Sequence, residues 1–326
     1  MVKISVVLNS ARKDDGIQGI KDHLLHPTLC SLSMQKFRDF EFIFVDSFYP
    51  SRLKYLKNFE LPADFGKSFP IKYVPEKPSI FNFKDNYISI SNGKNTGACY
   101  AEGELLVFID DTSRFNCDFL QLYWDWYQKG YFAQAFYTYY LWGVPHPKFF
   151  SIKTDNRYVE EIEKEGLLIH NHGSWFHGYS SVSLNAFLEV NGFDELYDGC
   201  KSLEDADLGL RLESKGYKFV LDKNLYIEEG GHWNIEYNPP KPEFKINPPL
   251  VDLWASGQKP WKANYCALRP EDIEFIKKTS LEKYGFEVDE NNLDWQIWTN
   301  NCPIFNLAEM RKEYLKSKYT KLEIGK

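Results

Sequence analysis

Residues 104–115, ELLVFIDDTSRF, constrain the fold of this chain more than any other stretch. A short apolar run stops at two adjacent acids, Asp110 and Asp111, and small polar residues follow. A run of that length between polar segments reads as a strand buried on both faces. Neighbouring carboxylates at a strand end repel each other unless a cation or solvent comes between them. A hard cation, Mg²⁺ or Mn²⁺, suits such a pair and in turn holds phosphate oxygens.

The N-terminal third sets this strand in an α/β framework. Ile4–Leu8 reads as a short β-branched strand ending at Asn9, Ser10 and Ala11. Residues 27–37 have helical spacing, with Leu25, Leu29 and Leu32 in one apolar row and Cys30, Met34 and Phe37 in the next. Pro27 suits a first helical turn. Phe40–Val45 is a second apolar strand, closing on Asp46. Strand, helix and strand in this order predict a parallel βαβ unit.

Further along, residues 71–74 read as a strand and 118–130 as an aromatic-rich helix, with a strand over 132–142. A helix is expected over 183–190, a turn at NGFDE, a helix over 203–215 with Leu208 and Leu212 inward, and a strand over 217–221. NPPKPEFKINPP, residues 238–249, cannot form regular helix. Helices are expected beyond it over 270–284 and 306–319. The chain therefore divides into an α/β domain over 1–235 and a Pro-rich, helical C-terminal extension over 236–326.

Composition narrows the partners. A net charge of −7 with no basic stripe argues against nucleic acid. Cys30, Cys99, Cys117, Cys200, Cys266 and Cys302 are scattered without a CxxC pair, which suits free thiols. The N-terminal apolar run is too short for a signal peptide, and no stretch approaches the roughly 20 apolar residues of a membrane span. The expectation is a cytoplasmic protein. Peripheral contact with a membrane-bound acceptor, and a homodimer through residues 236–326, stay open. In WASGQKPW, residues 254–261, packing that covers the sheet is favoured over an acceptor-side loop, since Trp is usually largely buried.

Three strands end in polar or acidic residues: Asn9-Ser10, Asp46 and Asp110-Asp111. In open parallel sheets ligands bind outside the carboxyl ends of the strands, so this convergence outweighs any single acid. Asp46 alone reads equally well as a turn residue. In KSLEDADLGLRLESKGYKFV, residues 201–220, Ser202 is a candidate N-cap with Glu204 and Asp205 in the first turn. Those acids read as a capping box, or as a cleft-facing general base. EEGGHW, residues 228–233, puts two glycines before His232, and a lone His is more often structural than a ligand. Neither a Walker A loop nor GxGxxG is present, so a Gly-rich phosphate cradle is not expected.

Together these segments resemble the GT-A glycosyltransferases, in particular the inverting family 2, over roughly residues 3–233. ISVVLNSAR is similar to the family's opening nucleotide-binding strand and turn, with Asn9 in place of the usual proline and Arg12 near its usual Asn-Arg. LCSLSMQKFRDFEFIFVDS resembles the segment whose closing Asp meets the uracil ring, here Asp46. NGKNTGACYAEGELLVFIDD is similar to the Arg-Asn-x-Gly segment feeding the metal motif, with Lys94 where Arg is usual. The metal motif departs from Asp-x-Asp at Thr112, and some members use an Asp-Asp pair. SVSLNAFLEVNGFDELYDGCKSLEDADLGLRLESKGYK looks like the acceptor-side segment shared with β-1,4-galactosyltransferase-like enzymes.

The resemblance implies an inverting, metal-dependent hexosyltransferase using a UDP-sugar and a hydroxyl acceptor, in surface glycan or glycoconjugate synthesis. Asp205 would be the base, with Glu204 on sugar or acceptor hydroxyls. Asn9, Ser10, Ala11, Arg12, Asp46, Lys94 and Asp110 would bind the nucleotide sugar. Asp111, with His232, would hold Mn²⁺ or Mg²⁺. The alternatives are a sugar-nucleotide nucleotidyltransferase and an inactive nucleotide- or glycan-binding protein, the latter motivated by Thr112.

Overall fold

The structure is a computed structural model. It describes residues 2–11, 25–61, 66–79, 89–141, 144–145, 160–198, 203–230, 247–257, 262–264, 266–291, 293–300 and 302–325. The first sheet contains β1 (Ile4–Ser10), β2 (Phe40–Asp46), β3 (Phe69–Pro75), β4 (Leu105–Phe108), β9 (Ser181–Ser183) and β11 (Thr320–Ile324). Its order is β11-β3-β2-β1-β4-β9. The four inner strands are parallel, and the two edge strands run against them.

Successive residues of the inner strands face opposite sides and are apolar on both. Ile4, Val6, Leu8, Phe42 and Phe44 pack with one core, and Val7, Ile43 and Val45 with another. The first core is covered by α1 (His26–Ser33) and α4 (Phe119–Gln128), with Leu25, Leu29 and Leu32 fully buried as the spacing predicted. The second is covered by α3 (Ile90–Tyr100), α6 (Leu184–Glu189), α7 (Glu204–Ser214) and α11 (Leu307–Tyr314). This mostly parallel sheet with helices on both faces is the Rossmann-like α/β layout expected of a GT-A fold.

A second sheet joins β5 (Ser113–Phe115), β10 (Phe219–Gly230), β6 (Phe132–Leu141) and β7 (Val144–Pro145), and β8 (Leu167–His170) also pairs with β10. Strand β10 continues nine residues past the expected end at Leu221, through a register shift between Leu221 and Tyr226. Its continuation brings Glu228 and Glu229 opposite Arg114 and Ser113.

Residues 90–100 form a helix although the sequence suggested only a polar, Gly-bearing segment. Gly93 and Gly97 explain both the weak signal and the result. Glycine lowers helix propensity, but here its missing side chain admits close packing. A Cβ at Gly93 would stand 2.4 Å from Asn9 Nδ2, and one at Gly97 2.3 Å from Val7 Cγ1. Helix α3 thus lies directly on β1.

The expected C-terminal extension includes the helices α8 (Asn247–Ala255), α9 (Pro270–Tyr284), α10 (Leu293–Asn300) and α11. Helix α8 starts inside the Pro-rich stretch read as non-helical, because Pro248 and Pro249 fall in its first turn, where no amide hydrogen is needed. Helix α9 has the predicted limits, starting at Pro270 and stopping before Gly285 in the left-handed conformation. Leu250, Leu253, Trp254, Ile276 and Trp295 form a core of their own with Leu196 and Tyr197, so Trp254 packs rather than facing outward. The chain then returns to the first sheet. Leu307 enters the second core, and β11 pairs with β3 while burying Ile324. The alternation in TKLEI carries that strand, a period-two pattern too short to stand out beside a predicted helix.

Helix α7 is held against the 3₁₀ turn Gly173–Trp175 by two glycines. A Cβ at Gly209 would come within 1.9 Å of the Gly173 carbonyl oxygen and 2.4 Å of Phe176 Cβ. Gly→Ala inside a helix ordinarily gains about 1 kcal/mol. Gly209→Ala is expected to have the opposite sign, losing roughly 1–3 kcal/mol through overpacking. Thermal unfolding checks this, and a raised melting temperature would contradict the contact.

Candidate active site

The strand order reverses at β1, whose two neighbours are β2 and β4, so the crevice at their carboxyl ends is the natural ligand site. Ser10 Oγ donates to Asp111 Oδ2 at 2.9 Å across this crevice. Asp110 lies one residue beyond the end of β4 and is part-exposed, whereas Asp111 is 5% exposed. Thr112 then turns the chain at φ 66°. A positive φ is costly for a β-branched residue. Ser113 Oγ closes the turn by donating to the Asp110 carbonyl at 2.6 Å.

Helix α7 supplies the other acids. Ser202, the expected N-cap, lies outside the described residues. The residue flanking the helix is Leu203 at φ 75°, with no side-chain cap. Left-handed non-glycine residues therefore adjoin both acid pairs, and such strain concentrates at functional sites. Asp207 points away from the crevice, into a buried network. Arg211 Nε and Nη2 donate to its Oδ2 at 2.9 and 2.6 Å, while Arg211 Nη1 donates to the carbonyls of Val190 and Gly192. The NGFDE turn is thereby fixed to α7.

Lys94 brings the two pairs together. It is 3% exposed, and its Nζ donates to Asp205 Oδ1 at 3.0 Å and lies 4.9 Å from the Phe193 ring centroid. Burial disfavours its charge, but the carboxylates of Asp205, Asp110 and Glu204 outweigh burial and raise its pKa. Burial pushes the Asp110 carboxyl up to about 7, helped by Glu229, Asp205 and Asp111 and opposed by Lys94. Burial likewise pushes Glu204 up to about 7, with Asp205 adding repulsion. Asp205 is the more accessible of the α7 pair, its side chain 20% exposed.

Asn9 lies at the end of β1 against Gly93, and Ala11 follows at its rim. Asp46 ends β2 beside Ser10 but is buried beneath the crevice. Its oxygens accept from the Arg52 guanidinium, from Tyr73 Oη at 2.5 Å and from the Phe48 amide at 2.9 Å. Burial together with Asp46 raises the Tyr73 pKa far above its ordinary value. Arg12 and His232 lie outside the described residues.

Sequence reasoning missed Glu229 and Gly178. EEGGHW was singled out for its histidine, although Glu229 is the residue felt by Asp110. Gly178 showed no motif, yet it borders the Asp110 carboxylate. Its only sequence signal was the unusual density of His, aromatic and Gly residues in HNHGSWFHGYS, residues 170–180.

Among the described residues no three His, Cys, Asp or Glu side chains are grouped to hold a metal ion. A cation at the crevice would meet the carboxylates of the Asp110-Asp111 turn. That oxygen-only, mutually repelling set fits a hard divalent cation shared with substrate phosphates. The described cysteines are free, and no helix is long and apolar enough to cross a membrane among the described residues.

No family model matches the chain, and no curated protein matches it. Among solved structures, the S. aureus TarS 1-349 structure aligns with a TM-score of 0.51 at 12% identity, covering 96% of this chain and 88% of that one. A structure of S. aureus TarS aligns at 0.49 and 12% identity, covering 91% of this chain and 47% of that one. The chain thus spans about half the length of that relative. The TarS 1-349 complex with UDP-GlcNAc aligns at 0.48 and 13% identity, covering 91% and 78%. At such identity the likeness is one of fold.

A third buried carboxyl gives a pH test of this packing. Burial, with Asp207 repulsion, pushes Asp194 from 3.8 up to about 7. The folded state therefore binds this proton more tightly than the unfolded state. Its contribution to stability is present below about pH 4 and lost as pH rises toward about 7. Asp110 and Glu204 act in the same sense. The melting temperature is expected to fall by several degrees from pH 5 to pH 8, and by less in Asp194→Asn. Equal slopes for the two proteins would contradict the burial assignment.

Proposed function

We propose that this protein is an inverting, metal-dependent glycosyltransferase. It moves a sugar from a UDP-sugar to a hydroxyl acceptor, in the synthesis of a surface glycan or glycoconjugate. The observation that carries this reading is the buried Lys94 ammonium, bonded to Asp205 and within electrostatic reach of Asp110 and Glu204, beside the crevice where β1 and β4 end. A carboxylate pair on the strand side and another on the helix side leave a cleft between donor and acceptor. The fold likeness to TarS supports the donor class, since TarS 1-349 has been crystallised with UDP and with UDP-GlcNAc.

In this reading Asp205, the more exposed acid of α7, takes the proton of the acceptor hydroxyl. The hydroxyl oxygen forms its bond to the anomeric carbon as the bond to the diphosphate oxygen breaks. One displacement inverts that centre, and no enzyme nucleophile is needed. The Lys94 ammonium orients Asp205 and offsets part of the negative charge of the cleft. Glu204 contacts hydroxyls of sugar or acceptor, and in its protonated form it donates as well as accepts. Asp111, with His232, would hold Mg²⁺ or Mn²⁺, which when bound neutralises charge on the departing diphosphate. Ser10 fixes the Asp111 carboxylate for that task. Asn9 and Ala11 line the nucleotide side, Arg12 would bind the donor there, and Asp46 supports it from below through Arg52 and Tyr73.

Two variants separate the roles. Asp205→Asn is expected to lower transfer by at least about 10²-fold, within the range of general-base losses, with UDP-sugar binding retained. Asp111→Asn is expected to weaken the Mn²⁺-dependent part of UDP binding. Nucleotide release measured over a donor panel, with and without Mn²⁺, is the assay. Undiminished transfer by Asp205→Asn would remove the base assignment, and UDP-sugar binding without turnover by the wild type would favour a binding protein.

A further inference from the structure

Asn191, the first residue of the NGFDE turn, has φ at 63°, in the left-handed region that favours glycine. Asparagine is among the few other residues that visit this region routinely. Here its side chain does what glycine could not. It is 1% exposed. Its Nδ2 donates to the Ala263 carbonyl at 2.6 Å and to the Phe305 carbonyl at 2.8 Å, and its Oδ1 accepts from the Leu307 amide at 2.7 Å. All three partners lie in the C-terminal extension, beyond the α/β domain expected over 1–235.

The extension meets the turn with a second left-handed asparagine. Asn264, at φ 50° and 4% exposed, donates from Nδ2 to the Phe193 carbonyl at 2.8 Å and accepts the Glu195 amide on Oδ1 at 3.0 Å. Its own carbonyl accepts from the Phe305 amide at 3.0 Å, which ties the two anchoring segments to each other. The contact is close as well as bonded. A Cβ at Gly192 would stand 2.6 Å from Leu307 Cδ2 and 2.4 Å from Asn95 Oδ1.

The turn held in this way is the one that aligns the proposed catalytic groups. Arg211 of α7 donates to the carbonyls of Val190 and Gly192, one on either side of Asn191, and α7 carries Glu204 and Asp205 at its start. From the other direction, Asn95 of α3 exchanges hydrogen bonds with Phe193, whose ring lies 4.9 Å from the Lys94 ammonium. Both members of the Lys94–Asp205 pair are therefore referred to residues 190–193.

We infer that Asn191 is a positioning residue through which the C-terminal extension sets α7 against α3, and with it the reach of Asp205. The inference rests on the proposed role of Asp205 as base. Residues 263–264 and 305–307 then belong to the catalytic unit and are not an appendage to it. Without the Asn191 side chain, two buried carbonyls and one buried amide lose their partner, and the turn is free to shift. A displacement of about 1 Å at reacting groups costs on the order of 10²-fold in rate.

Asn191→Gly keeps the left-handed backbone and deletes the three bonds, and Asn264→Gly loosens the same turn from the other side. The control is Ile324→Ala, which opens a cavity where β11 meets the start of β3, at the edge of the sheet opposite the crevice. UDP release from UDP-glucose, UDP-galactose and UDP-GlcNAc with Mn²⁺ gives kcat and KM, at a temperature well below every melting transition. Both glycine variants are expected to lose roughly 10- to 100-fold in kcat with the KM for the UDP-sugar unchanged. Ile324→Ala is expected to melt lower than wild type and keep its kcat. Wild-type kcat in both glycine variants overturns the inference alone. So does an equal loss of kcat in Ile324→Ala, since destabilisation is then the whole effect, and so does a loss confined to KM, since the turn then serves donor binding. If Asn191→Gly does not fold, Asn264→Gly decides, and failure of both to fold makes the contact structural and overturns the inference. A wild type that releases UDP from none of the three donors overturns the glycosyltransferase reading and the inference together.

Discussion

A polar helix buried on every side is the constraint around which the molecule is arranged. Every residue of α3 from Ser91 to Tyr100 is buried, Asn92, Lys94, Asn95 and Thr96 included. Buried polar groups are tolerable only with partners, and most partners here come from outside the helix. Asn95 exchanges hydrogen bonds with the backbone of Phe193 and donates to Glu195. Asp198 accepts the amides of Ser91 and Asn92 at the helix start, with burial raising its pKa well above the carboxylate range. Lys77 pairs with Glu195 and Asn92. Removing one partner from such a set leaves another buried group unsatisfied, so the set specifies one arrangement of β1, α3 and the NGFDE turn.

Lys94 is where this scaffold becomes chemistry. Its neighbours on α3 fix the helix, and its own ammonium binds Asp205 of α7 and feels Glu204 and, beyond β4, Asp110. The crowding of carboxylates there works against stability, as the upward pKa shifts of Asp110 and Glu204 express. So does the left-handed backbone at Thr112 and Leu203. The cores on either face of the sheet and the Asp207–Arg211 pair hold those groups in place. A substrate or cation that relieves repulsion among them binds more tightly for it.

Much of this was legible in the chain itself. The strands over 4–10, 40–46 and 105–108 announce themselves as short apolar runs ending in polar residues, because a strand buried on both faces has no polar alternation to hide it. Helix 270–284 carries its own start and stop at Pro270 and Gly285. Helix α3 was not legible, since its glycines argue locally against a helix and only β1 explains them. Strand β11 was hidden in the same way, as five alternating residues have no meaning until β3 offers an edge. Asp46 shows the limit from the other side. Its position at a strand end was foreseen, but its enclosure by Arg52 and Tyr73 was not.

The sequence by itself determined where each acid sits along its own strand or helix, because hydrophobic period and turn chemistry are local properties. It also carried the order of segments that resembles a nucleotide-sugar enzyme. Which acids meet was decided by tertiary structure alone. Asp110 is brought to Lys94, Asp205 and Glu229 from separate segments, and to Gly178 of the segment before β9. The apolar run that ends at Asp110 and Asp111 fixes a strand. The packing of α3, α7 and β10 around that strand end makes it a site, because repulsion, burial and reach depend on distances in space that no spacing along the chain contains.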